Sequence, residues 1–255
     1  MQIIDINCDM GESYGHFKIG NDDALFPYIS SCNIACGFHG GDPFHISQTI
    51  KKAIAHSVRI GAHPAYPDLA GFGRRKMQVP KIELTAIIKY QVAALKGMTE
   101  SMGGRLAYVK PHGALYNTAA NDVAESTTII EAVQAIDDSL AIMGLAGSVT
   151  QKVAEEMQVP FIAEAFADRQ YTKEGRLQSR LQAGAVIHEP MRSAAQVLSI
   201  IQKQQVISDS GTVVPIVAQS ICIHGDNPAA VAILQAIDLL LSQQKIRKQG
   251  KLEVE

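Results

Sequence analysis

Several short stretches set acids and cations beside histidine and glycine. They are NCDMGE (7–12), CGFHGGDP (36–43), GAHPAYPD (61–68), VKPHGALYN (109–117), EAFADRQY (164–171) and HGDNP (224–228). Histidine titrates near neutral pH and ligates metals, so His39, His63, His112 and His224, with Asp9 and Glu12 nearby, could transfer protons or hold a divalent ion. Each histidine alone fits equally well a loop residue satisfied by backbone, and His16, His56 and His188 lack comparable company. Lys110 before Pro111 could neutralise a developing oxyanion or phosphate, or form a structural salt bridge to Glu164 or Asp9. In DLAGFGRRK (68–76), Arg74 and Arg75 on a glycine-rich loop suit bidentate capture of phosphate or carboxylate. HGGDP and HGDNP each lead from a glycine turn toward a helix start, where free amides favour an anion.

For these residues to act together, something must bring them to one place. Strand-like runs fall at 3–7, 31–36, 58–62, 106–110, 140–145, 160–166, 185–187 and 220–224, mostly apolar, as strands covered on both faces should be. Between them apolar residues recur at helical spacing, as in Ile129, Ile130, Val133, Ile136 and in Val231, Leu234, Ile237, Leu241. Asp42-Pro43 and Asn227-Pro228 read as N-caps followed by a first-turn proline. Alternating strand and helix implies parallel strands with right-handed crossovers, and seven or eight such units fit a TIM-like (β/α) barrel. In such a barrel the strand ends share one mouth, and the first six stretches quoted above each lie at a strand end, with DLAGFGRRK as a glycine-hinged loop suited to a lid. A single domain spanning 1–255 is expected, with a polar, frayed tail over 243–255.

Composition narrows the partners. A net charge of −2, 19% charged residues and no Trp give no electrostatic footprint for nucleic acid. No apolar run approaches the ~20 residues of a membrane span. The N-terminus has no basic region followed by a long apolar stretch, which predicts a cytoplasmic protein. Cys8, Cys32, Cys36 and Cys222 form no C-x-x-C pair and read as small buried hydrophobes. There is no G-x-x-x-x-G-K-[ST], so a nucleotide would not be held by a P-loop.

Taken in order, INCDMGE, ACGFHGGDP, GAHPAYPD, GFGRR, VKPHGALYN, EAFADRQY and HGDNP resemble the LamB/YcsF family across nearly the whole chain. The resemblance implies a distorted barrel related to the glycoside hydrolase/deacetylase superfamily. It also implies a part in ATP-dependent 5-oxoprolinase, which opens 5-oxo-L-proline to L-glutamate with B and C subunits, using ATP as co-substrate and Mg as its companion metal. In that chemistry Asp9 or Glu12 is expected as base and His112 or His39 as proton shuttle. Lys110 with Arg74 or Arg75 would stabilise anions, and the HGDNP helix start would cradle a carboxylate. Asn7, His63, Asp168, Arg169, His224 and Asp226 complete the expected substrate and phosphate contacts. A metal-dependent deacetylase-like hydrolase, with Asp9, His39, His45 and His63 as ligands, is the alternative chemistry; a non-catalytic scaffold subunit is the alternative role.

Overall fold

The computed structural model describes residues 2–249. In chain order its elements are β1 (Ile3–Met10), α1 (Asp22–Leu25), β2 (Ser31–Ala35), α2 (Pro43–Ala55), β3 (Arg59–His63), α3 (Lys81–Ser101), β4 (Leu106–Val109), α4 (Gly113–Ala119), α5 (Val123–Gln134), β5 (Ala141–Leu145), α6 (Val149–Glu156), β6 (Phe161–Phe166), α7 (Pro190–Lys203), β7 (Gln205–Ile207), β8 (Val213–Pro215), β9 (Ser220–His224), α8 (Ala230–Gln243) and β10 (Arg247–Lys248). Strands β1 to β6 and β9 pair in parallel, and β9 bonds back to β1, so seven strands close the expected barrel.

The run at 185–187 is not a strand. Val186 makes one isolated bridge to Arg169, within a long excursion after β6 that never rejoins the sheet. A short antiparallel hairpin, β7–β8, lies outside the barrel and has no counterpart in the predicted strands. The tail is not wholly frayed: β10 pairs with β1, and Gln249 N donates to Ile4 O. The remainder of the expected frayed segment, 250–255, lies outside the described residues.

Asp42 caps α2 as its sequence predicts, its side chain accepting from Phe44 N and His45 N. The second proline start does not hold. Asn227 turns its carboxamide oxygen to Ala229 N and its carbonyl to Ala230 N, so α8 begins only at Ala230, two residues past Pro228. At both places the amides expected to bind an anion are used by the chain itself.

The interior of this barrel is polar, where parallel barrels usually stack branched apolar side chains. Strand β1 alternates. Ile4, Ile6, Cys8 and Met10 belong to the apolar core, while Asp5, Asn7 and Asp9 join polar networks with residues of the other strands. At the lowest level the Asp5 carboxylate accepts from Ser30, Ser31 and Ser220 Oγ and pairs with Arg59 Nη2 at 3.2 Å. Above it, Asn33 Nδ2 donates to Asn7 Oδ1 at 2.7 Å, and Tyr108 OH donates to Asn33 Oδ1 at 2.7 Å. Tyr108 fits because Gly61 opposite has no side chain; a Cβ there would meet the phenol ring at 2.2 Å. A polar plug of this kind holds only when every group is paired, and its bonds fix the position of the layer above.

Candidate active site

Above the plug lies a buried ion cluster. Lys110 follows β4, continues the ladder through its N–H to Ala62 O, and is 2% exposed. Its ammonium donates to Asp9 Oδ1 at 2.9 Å and lies 2.7 Å from Glu164 Oε1, with Asn7 Oδ1 and Cys222 Sγ also within reach. Burial alone would depress this ammonium, but Asp9 and the other acids around it hold its pKa well above the lysine range. Burial likewise opposes ionisation of Asp9, yet His63 and Lys110 outweigh it and keep the carboxyl well below its ordinary value. Asp9 is therefore a fixed anion. Of the two expected bases, it is the poorer at taking a proton.

His63 and His112 stand over Asp9. His63 Nδ1 faces Lys110 O at 2.7 Å and His112 Nε2 faces Phe72 O at 2.9 Å. A carbonyl accepts and cannot donate, so both of these nitrogens carry hydrogen. The remaining nitrogens, His63 Nε2 and His112 Nδ1, then face each other 3.0 Å apart, and two lone pairs cannot do so unless a cation lies between them. A proton satisfies the pair. Burial and the neighbouring His39 and His63 push the pKa of His112 well down, and His63 Nε2 lies 3.4 Å from Asp9 Oδ2 as well.

His39 stacks on His112 at 3.7 Å and 5°, and its Nε2 lies 3.1 Å from Glu12 Oε1. Burial, reinforced by Asp9, raises the pKa of Glu12 well above the carboxylate range; burial lowers that of His39. The loop carrying Gly71 and Gly73 covers these rings. Gly73 has φ +64°, and a Cβ on it would fall 2.8 Å from both His112 and His39.

A divalent ion is the other cation that fits the pair. One donor atom each from Glu12, His39, His63 and His112 lies within 4.8 Å of the others, and the outer nitrogens of His63 and His112 are bound to carbonyls, as metal-ligating imidazoles usually are. His39 Nδ1 is buried without a partner. The donor set thus fits a metal, but it is not the set expected from sequence. His45 lies in the first turn of α2, where its Nδ1 is taken by Asp42 at 2.6 Å, and Glu12 and His112 stand in place of His45 and Asp9.

A cavity of about 600 Å³ opens above the cluster, lined by Asp9, His63, Lys110, His112, His224, Arg74, Arg75 and Arg169, together with Arg176 and Arg180. Among the expected contacts, Asn7 lies a layer below the cavity, bound to Glu164 and Ser220. Asp168 is buried behind it, where it accepts from Asn227 and holds His224 Nδ1 at 2.8 Å. Asp226 is an acid paired with Arg74 at 2.5 Å and Arg180 at 3.4 Å; the HGDNP segment therefore presents a carboxylate and does not cradle one. Arg75, at the cavity edge, is paired with Asp68 and its side chain is 68% exposed, whereas Arg74 pairs with Asp226. Glu12 and His39 sit behind His112 and do not line the cavity.

Sequence reasoning does not single out Tyr116, Cys222, Arg176 or Arg180 as site residues. Tyr116 lies one helical turn beyond His112 and donates to Glu164 Oε2, a spacing that is legible. Arg176 and Arg180 come from the irregular excursion after β6, where no periodicity marks a face.

The fold and site define a closed parallel α/β barrel with an acid–histidine centre at the mouth formed by its strand ends. The chain belongs to the LamB/YcsF family, whose model matches residues 4–254. It is 47% identical over 251 residues to the A subunit of 5-oxoprolinase from Acinetobacter baylyi, covering 98% of this chain and 99% of that one. The crystal structure of the lactam utilization protein from Thermus thermophilus superposes with a TM-score of 0.91 at 38% identity, covering 98% of this chain and 99% of that one. A T48 deacetylase shares the fold alone, at a TM-score of 0.50 and 11% identity over 97% of this chain and 87% of that one. Among the described residues, no helix is long and apolar enough to cross a membrane.

Proposed function

We propose that this chain supplies the hydrolytic site of an ATP-dependent 5-oxoprolinase, which converts 5-oxo-L-proline, ATP and two waters to L-glutamate, ADP and phosphate together with B and C subunits. The names of its relatives support the lactam, and the observation that carries the chemistry is the opposed pair His63 Nε2 and His112 Nδ1 beside Asp9. A five-membered lactam carbonyl is a poor electrophile. Phosphorylation of its oxygen activates the ring carbon for attack by a first water; the C–N bond then breaks and the nitrogen takes a proton, which leaves an acyl phosphate, and a second water cleaves that to the carboxylate and free phosphate. The proton held between His63 and His112 serves the departing nitrogen, and the proton released by the attacking water restores it. Asp9 keeps the pair charged, and Lys110 faces the negative charge that develops on oxygen.

A second reading, a metal-dependent hydrolase, is favoured by the Glu12, His39, His63 and His112 donor set. A divalent ion bound there would supply Lewis-acid activation of water. Elemental analysis of active protein separates the two: a stoichiometric metal selects the second, and full activity without one excludes it.

Glutamate release from 5-oxoproline and ATP tests the function itself, comparing this chain alone, the B and C subunits alone, and all three together. Glutamate from the complete mixture only is the expected result. No glutamate from it, with the same B and C subunits active when an established homologue replaces this chain, would refute the proposal.

A further inference from the structure

The cavity rim carries more positive charge than the chain itself neutralises. Arg74 and Arg180 share one carboxylate, that of Asp226. Arg169 is 5% exposed, yet among the described residues it forms no ion pair; its Nη2 donates to Gln178 O and its buried Nε has no partner. Arg176 lines the same cavity, also without an ion pair among the described residues. Burial and the nearby Arg180 push the pKa of Arg169 down to about 10, so its guanidinium is still charged at neutral pH. A buried guanidinium with an idle donor is an unfilled requirement, because burying charge without a counter-ion is costly.

We infer that Arg74, Arg169, Arg176 and Arg180, which all line the cavity, form a subsite there for a dianionic phosphoryl group. The planar fork of each guanidinium matches phosphate oxygens, and a doubly charged group answers the surplus better than a single carboxylate would. The excursion after β6 supplies Arg169, Arg176 and Arg180, which gives this otherwise irregular segment a role. The inference rests on the proposed reaction only for the origin of the phosphoryl group: the terminal phosphate of the nucleotide, or the phosphate carried on the activated lactam oxygen.

Calorimetric titration of the full chain with inorganic phosphate at fixed ionic strength tests the subsite without any turnover. Wild type should bind one phosphate saturably. Arg180→Gln and Arg176→Gln, both on the rim, should each raise Kd by about tenfold, the loss of a charge-assisted contact. Arg169→Lys, which keeps the charge and loses the fork, should weaken binding as well. Competition by a non-hydrolysable ATP analogue assigns the subsite to the nucleotide; phosphate binding that the analogue leaves intact assigns it to the activated lactam. Absence of saturable binding by wild type, or an unchanged Kd in folded Arg176 and Arg180 variants, overturns the inference. Phosphate binding without glutamate formation in the complete mixture would retain the subsite and remove the reaction.

Discussion

Lys110→Met is expected to lower the unfolding free energy by about 3–5 kcal/mol and to abolish glutamate formation, because it strands two buried carboxylates. Asp9 and Glu164 share the Lys110 ammonium as their common cation, at 2.9 and 2.7 Å, with all three side chains buried. Against a typical total stability of about 5–15 kcal/mol this is a large fraction. The sign with pH follows from Asp9. Its folded pKa is depressed, so the stability it contributes is full above about pH 4, its unfolded value, and is lost as pH falls through the lower folded value. Removing Lys110 takes away one of the causes of that depression, so acid unfolding of the variant should begin at higher pH than in wild type. Urea titration across pH measures both effects. Adding Glu164→Gln to Lys110→Met should recover part of the loss by removing one stranded charge; a loss below about 1 kcal/mol in the single variant would show that the cluster is not the anchor argued here.

His112→Gln is expected to lower kcat in the complete mixture by about 10²–10⁴-fold, the usual worth of a positioned proton donor, with KM little changed. Glutamine can keep a donor toward Phe72 O, but it cannot hold a transferable proton opposite His63 Nε2. The stacked His39 does not substitute for it, since its Nε2 faces Glu12 and it lies behind the cavity wall. A kcat within a few-fold of wild type, in folded protein, would take His112 out of the proton path.

Much of this is legible in the chain. The alternation of strand and helix leads to the barrel, and the strand-end motifs name most of the side chains that meet at its mouth. The polar interior is harder to see, although β1 displays it: in IIDINCDM the acids and amide fall at every second position, and SCN in β2 repeats the alternation with Ser31 and Asn33. Reading such strands as apolar throughout averages over two faces with opposite surroundings. The helix starts differ for a reason that spacing does not carry. Asp42 and Asn227 both precede proline, but Asn227 is also drawn toward Asp168 and Ile187 O, and the helix begins later. Ion pairing likewise separates Arg74 from Arg75, since Asp68, seven residues before Arg75, binds the latter at the cavity edge while Arg74 pairs with Asp226. His45 has the residue type of a ligand, but its own cap residue claims it.

The most direct test of the account is glutamate released from 5-oxoproline and ATP by the complete three-subunit mixture in which this chain alone carries Asp9→Asn. The amide keeps the shape but not the charge that holds the proton on the His63–His112 pair, so glutamate formation should fall by about two to four orders of magnitude in a chain that still folds and assembles. Turnover near that of wild type would place the hydrolysis elsewhere in the assembly.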